Sequence, residues 1–154
     1  MYDAGMMAGL LALGGIVVFF FSIIGIAMYV LFSLGLMKLA ENKGIENPWL
    51  AWIPIANMYI LGLIVKEVDV FGQKITKLEL VLPISCAIGL FAAIPVIGQL
   101  LVLAYGIFMI FVLLKLFKMY RPEQAVLYTV LSVILGLFSI FIFIIRNDSP
   151  VNVE

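Results

Sequence analysis

The side chains that could act as nucleophiles in this chain lie in apolar stretches: the hydroxyls of Ser22, Ser33, Ser85, Ser132 and Ser139 and the thiol of Cys86. A hydroxyl attacks only when a neighbouring base takes its proton, and this sequence has no histidine and no lysine within those stretches. The serines are therefore expected to bond back to the preceding helical turn or across a helix pair. A single cysteine forms no intramolecular disulfide and, without histidine, no zinc, haem or iron–sulfur ligand set. No cofactor and no metal are expected. Two amides remain, Asn57 and Gln99, each with donor and acceptor atoms that need partners near hydrocarbon. Asn57 reads either as a cap on a bent helix or as a ligand contact, and Gln99 has the same two readings.

The elements that position these groups are set by the charge-free runs. The 34 residues from Ala4 to Met37 and the 35 from Leu80 to Leu114 carry no charged side chain. Only helices and closed barrels satisfy their own backbone in lipid, so runs of this length read as spanning helices. With 154 residues, 66 % hydrophobic and 12 % charged, the chain is expected to be an all-α polytopic membrane protein forming one helical domain. Asp3 is the only charge before the first run, and that run is far longer than a signal-peptide core, so the segment is expected to be retained. Ala4, Ala8 and Ala12 beside Gly5 and Gly9 place small residues four apart, either as a close-packing stripe or as ordinary spanning-helix composition.

Four crossings are expected, near 8–37, 78–93, 98–118 and 123–145, with a broken interfacial or re-entrant helix over 48–65. The second long run would reach about 52 Å as one helix, against a hydrocarbon core of about 30 Å. Pro95, Gly98 and Gln99 are expected to turn it into an antiparallel hairpin. Phe71-Gly72-Gln73 reads as a turn in a polar loop from Lys66 to Glu79, and Pro122 as the opening of a last helix running to Arg146. In this arrangement eight of the nine Lys and Arg residues share one face and Arg146 alone faces the other. The positive-inside rule then puts the loops in the cytoplasm and both termini outside.

The segment 48–65 carries the one distinctive motif. Asn47 reads as its N-cap and Pro48 as its first helical residue. Pro54 removes a donor and clashes with the carbonyl of Leu50, and Trp49, Trp52, Ala56 and Tyr59 would share one side at headgroup level. The stretch Trp49-Leu-Ala-Trp52-Ile-Pro54-Ile-Ala-Asn57-Met-Tyr59 resembles a W-x-x-x-I-P-x-x-N-x-Y signature of small, uncharacterised bacterial integral membrane proteins. Some similar segments are joined to signal-peptidase-like proteins, and the likeness extends loosely over residues 38–146. Ala56 departs from the aromatic frequent there. The resemblance implies a bacterial cytoplasmic membrane and brings no activity.

No spanning run contains Asp, Glu, Lys or Arg, which disfavours pumps and charge-coupled transport, and there is no phosphate loop or nucleic-acid-binding pattern. The expected function is a non-enzymatic accessory or scaffold subunit, with the bilayer and either other membrane proteins or further copies of itself as partners. The alternative is an oligomeric channel or small-solute permease with Asn57, Tyr59 and Gln99 along its path.

Overall fold

The computed structural model describes residues 3–86, 94 and 96–151. The chain is mostly helical. Helix α1 (Ala4–Asn42) is a single 39-residue rod, long enough and apolar enough to cross a membrane, as is α4 (Ile97–Tyr120). These are the two helices that meet that test among the described residues. Helix α3 is described over Leu78–Cys86 and has Pro83 inside it.

Residues 48–65 do not form one helix. A 3-10 turn over Pro48–Trp52 is followed by extended Ile53, then Ile55 at φ 72°, before α2 (Ala56–Val65) begins. A β-branched residue at positive φ is strained, so the bend is imposed by its surroundings together with Pro54. The chain leaves Asn47, runs along α1 to Trp52, and returns through α2 to Ile64. There Lys43, at the end of α1, donates from Nζ to the Ile64 carbonyl at 2.8 Å. The break takes Trp49 and Trp52 out of helical register with Ala56 and Tyr59, so the single aromatic side expected from the sequence is not formed.

The helical class expected is found, with one small addition in the polar loop at the expected Phe71-Gly72-Gln73 turn: an antiparallel hairpin, β1 (Val68–Val70) with β2 (Gln73–Ile75), paired Val68↔Ile75, Asp69↔Lys74 and Val70↔Gln73. Its two-residue turn has positive φ at Phe71 (50°) and Gly72 (81°), the backbone twist that suits a tight hairpin. Glu67 and Lys74 bridge it at 2.7 Å. The strands are too short, at three residues each, for alternation to have shown in the sequence.

The last helix expected, 123–145, is also corrected. It is two helices, α5 (Ala125–Leu135) and α6 (Phe138–Ile144), folded back at Gly136 in the left-handed region (φ 67°). Tyr128 of α5 stacks on Phe141 of α6 with ring centroids 4.4 Å apart, and both rings meet Phe117 of α4 edge-on. Glycine at the fold-back adopts this conformation without the steric penalty of a side chain, so a continuous apolar pattern was interrupted where hydropathy gives no sign.

The returning α6 lies parallel to the end of α1. Phe32 meets Phe138 edge-on at 5.6 Å, Gly35 lies against the backbone of Ile142 and Phe143, and Asn42 reaches Arg146. Residues 145–151 then tie back onto α4, with the Val151 N–H donating to the Met119 carbonyl at 2.7 Å and Arg121 paired with Asp148 at 2.6 Å. The buried core is consequently gathered at the charged end. It holds Leu36, Leu39, Ile60, Ile64, Leu78, Leu82, Leu116, Phe117, Ile142 and Ile145, all essentially inaccessible. Over Ala4–Ala27, by contrast, every residue of α1 is exposed.

Between α3 and α4, Cys86 Sγ and Tyr105 Oη lie 3.9 Å apart, and Val96 at φ 66° starts α4. The run from Leu80 to Leu114 is thus interrupted rather than one continuous helix. Pro95, and residues 87–93 of the crossing expected over 78–93, lie outside the described residues.

Candidate functional site

The tryptophan hairpin is held against α1 by two contacts. Tyr29 Oη donates to the Trp52 carbonyl at 2.6 Å, and Trp52 Nε1 donates to Met37 Sδ at 3.4 Å. The first matters because a carbonyl at a helix break has lost its helical donor, and hydrocarbon supplies no substitute. Tyr29 lies 14 residues before Lys43 on α1, a rise of about 21 Å, so the hairpin tip sits well away from the charged end.

The expected local cap by Asn57 is not formed. The carbonyl of Leu50, which Pro54 leaves without an α-helical donor, accepts the N–H of Ile53 at 3.0 Å instead. The first turn of α2 is closed by main chain, Asn57 N–H to Ile53 at 2.9 Å and Met58 N–H to Ile55 at 3.0 Å. Asn57 makes no capping bond and is buried, 6 % exposed, in the core. Asn47 likewise takes a left-handed conformation with no side-chain cap, its Oδ1 accepting from Trp49 Nε1 at 3.4 Å. Pro48 does open the 3-10 turn, and Pro54 is exposed at the tip.

Tyr59 is the motif residue that reaches a cavity. Tyr59, Leu63 and Lys66 follow one face of α2 and, with Lys43, Glu46 and Leu50, line a space of about 630 Å³ at the charged end. Lys43 is half-buried there; its pKa is lowered, first by burial and then by the positive charge of Lys66. Neither lysine has a carboxylate partner among the described residues, where the ion pairs are Lys38–Glu41, Glu67–Lys74 and Arg121–Asp148. Arg121, by contrast, has its pKa raised by hydrogen bonds to Asp148 and Tyr128.

The remaining expected residues are not brought to this place. Gly98 is buried, its N–H bonded to the Ile94 carbonyl at 2.9 Å, and Gln99 is exposed in the first turn of α4. Gln99 and Tyr120 are the two ends of α4, about 31 Å apart, so Gln99 does not share a wall with Tyr59. Sequence reasoning passed over Tyr29, Lys43 and Lys66 as individual residues. Their only signal was position: Tyr29 is a hydroxyl deep in an apolar run, and the two lysines flank the polar ends of the tryptophan segment.

Among the serines, Ser22 Oγ donates to the Val18 carbonyl at 2.8 Å and Ser85 Oγ to Leu82 at 2.7 Å, as back-bonding requires. Ser33 and Ser132 are buried with no partner for Oγ among the described residues. Among the described residues no side-chain base is hydrogen-bonded to Ser22, Ser33, Ser85 or Ser132. No family model, curated protein or solved structure matches the chain.

Proposed function

We propose that this is a non-enzymatic membrane protein that works by associating with other membrane-embedded helices, as an accessory or scaffold subunit or through copies of itself. The observation that carries the reading is the state of α1. Its most apolar 18-residue window has no residue buried inside the chain, while its last three turns are locked into the core. Gly5, Gly9, Gly14, Gly15 and Gly25 all have open space where a Cβ would stand. Close approach of a second helix is easiest along such a surface.

The same geometry supports an orientation. Because α6 returns to the end of α1, all nine Lys and Arg residues gather toward one end, in place of the eight-to-one split expected from four crossings. The positive-inside rule then puts that end, and the carboxyl-terminal segment with it, in the cytoplasm and Asp3 outside. In this reading α1 and α4 cross a bacterial cytoplasmic membrane. The tryptophan hairpin and the α5–α6 hairpin enter from the cytoplasmic side and return.

Purification in a mild detergent followed by mass determination tests the association. A stoichiometric foreign chain, or a defined multiple of the 17.1 kDa chain, is expected. A single 17.1 kDa chain across several mild detergents would overturn it.

A further inference from the structure

We infer that the cavity between the end of α1 and α2 binds the phosphate group of an anionic ligand, with Lys43 and Lys66 as its cationic walls. Its volume, about 630 Å³, is ample for a phosphodiester headgroup. The two lysines face the same space from different elements, Lys43 from the end of α1 and Lys66 from the end of α2. Lys43 is fixed by its bond to the Ile64 carbonyl, so it is presented without the full loss of side-chain freedom on binding. Neither is neutralised by a carboxylate within an ion-pair distance among the described residues, unlike Lys38, Lys74 and Arg121.

Lys43 is half-buried and Lys66 is exposed at the mouth; their like charges repel, and an anion between them removes that repulsion and part of the burial penalty of Lys43. Glu46 on the lining works against an anion; it is exposed, as Lys66 is, so water weakens both of those contributions and the half-buried Lys43 carries the larger one. Leu50 and Leu63 supply an apolar wall beside the charges, a combination that suits an amphiphile. Trp49, exposed and bonded to the cavity residue Asn47, is the kind of ring that sits at headgroup level. On the membrane orientation proposed above, the phosphate is that of a cytoplasmic-leaflet lipid; a free phosphate monoester presents the same chemistry.

The test uses the full chain in neutral detergent, with native mass spectrometry counting bound lipid. Phosphatidylglycerol is compared with phosphatidylcholine, and glycerol 3-phosphate is added as competitor at matched ionic strength. Phosphatidylglycerol should be retained in preference. Lys66→Gln should weaken its binding about fivefold, the scale of one lysine at a charged lipid surface, and Glu46→Gln should strengthen it. Lys74→Gln, on the β-hairpin and outside the cavity, should leave it unchanged. Displacement by glycerol 3-phosphate at equal concentration would assign the site to a soluble phosphate, and its failure to displace would assign it to lipid. Lys43→Gln removes a backbone bond and is read only if the protein still purifies folded; Lys66→Gln decides otherwise. Equal retention of the two lipids without any phosphate competition, or equal losses in Lys66→Gln and Lys74→Gln, would overturn the site.

Discussion

Asn42 Nδ2 donates to the carbonyl of Arg146 at 2.9 Å, joining the last residue of α1 to the 3-10 turn that follows α6, 104 positions later. One bond of this kind fixes the level of two chain ends relative to each other. Together with the stacking of Tyr128 on Phe141 and the seating of Gly35 against Ile142, it is why the α5–α6 segment is read as a returning hairpin and not as a crossing.

Labelling should show the same arrangement. In a Cys86→Ser background, cysteine placed at Ser149 and at Asp69 should both be shielded from an impermeant thiol reagent outside intact cells, while cysteine at Asp3 should react. The grounds are the shared charged end and the positive-inside rule. External labelling at Ser149 as rapid as at Asp3 would restore the fourth crossing.

Tyr29→Phe should lower stability in detergent by roughly 1–2 kcal/mol, because it leaves the Trp52 carbonyl without its donor at a place where the helix has broken. The change removes one oxygen and disturbs no packing. A melting curve equal to that of the parent protein would show that water or detergent replaces the hydroxyl.

Two glycines should respond in opposite senses to alanine. A Cβ at Gly62 would collide with the backbone of Leu78 and Glu79 where α2 meets α3, so Gly62→Ala should destabilise by about 1–3 kcal/mol or prevent folding. Gly25→Ala meets nothing within 4 Å and should be neutral or stabilising by about 0.5–1 kcal/mol through helix propensity. Equal tolerance at both positions would mean that the α2–α3 packing is looser than described.

Ser33→Ala should raise stability by about 1 kcal/mol. Ser33 is fully buried and its hydroxyl has no partner among the described residues, so the variant discards a desolvation penalty and keeps the methylene-sized contact. Thr129, buried but bonded to the Ala125 carbonyl at 2.7 Å, is the control: Thr129→Val should not gain. Thermal unfolding of the two variants side by side measures the difference.

Helical class, and helices long and apolar enough to cross a membrane, were legible from the residues alone, because charge-free runs as long as Ala4–Met37 have few other physical solutions. The break at Pro54 was legible for the same kind of reason, since a missing donor is a local fact. The use made of the break was not: the freed carbonyl of Leu50 went to Ile53 and that of Trp52 to Tyr29, while Asn57 went to the core. Partners 23 residues apart leave no trace in local spacing.

What the sequence determined by itself is thus the presence of helical runs long and apolar enough to cross a membrane and the position of the polar loops between them. Tertiary structure alone decided that α5 and α6 fold back at Gly136, that Arg146 meets Asn42, and that Lys43 and Lys66 line one cavity. The physical reason is that hydropathy measures only whether a residue tolerates lipid, and a crossing helix and a returning hairpin satisfy it equally. Choosing between them takes contacts between residues far apart in the chain, here the stacking of Tyr128 on Phe141 and the seating of Gly35 against Ile142.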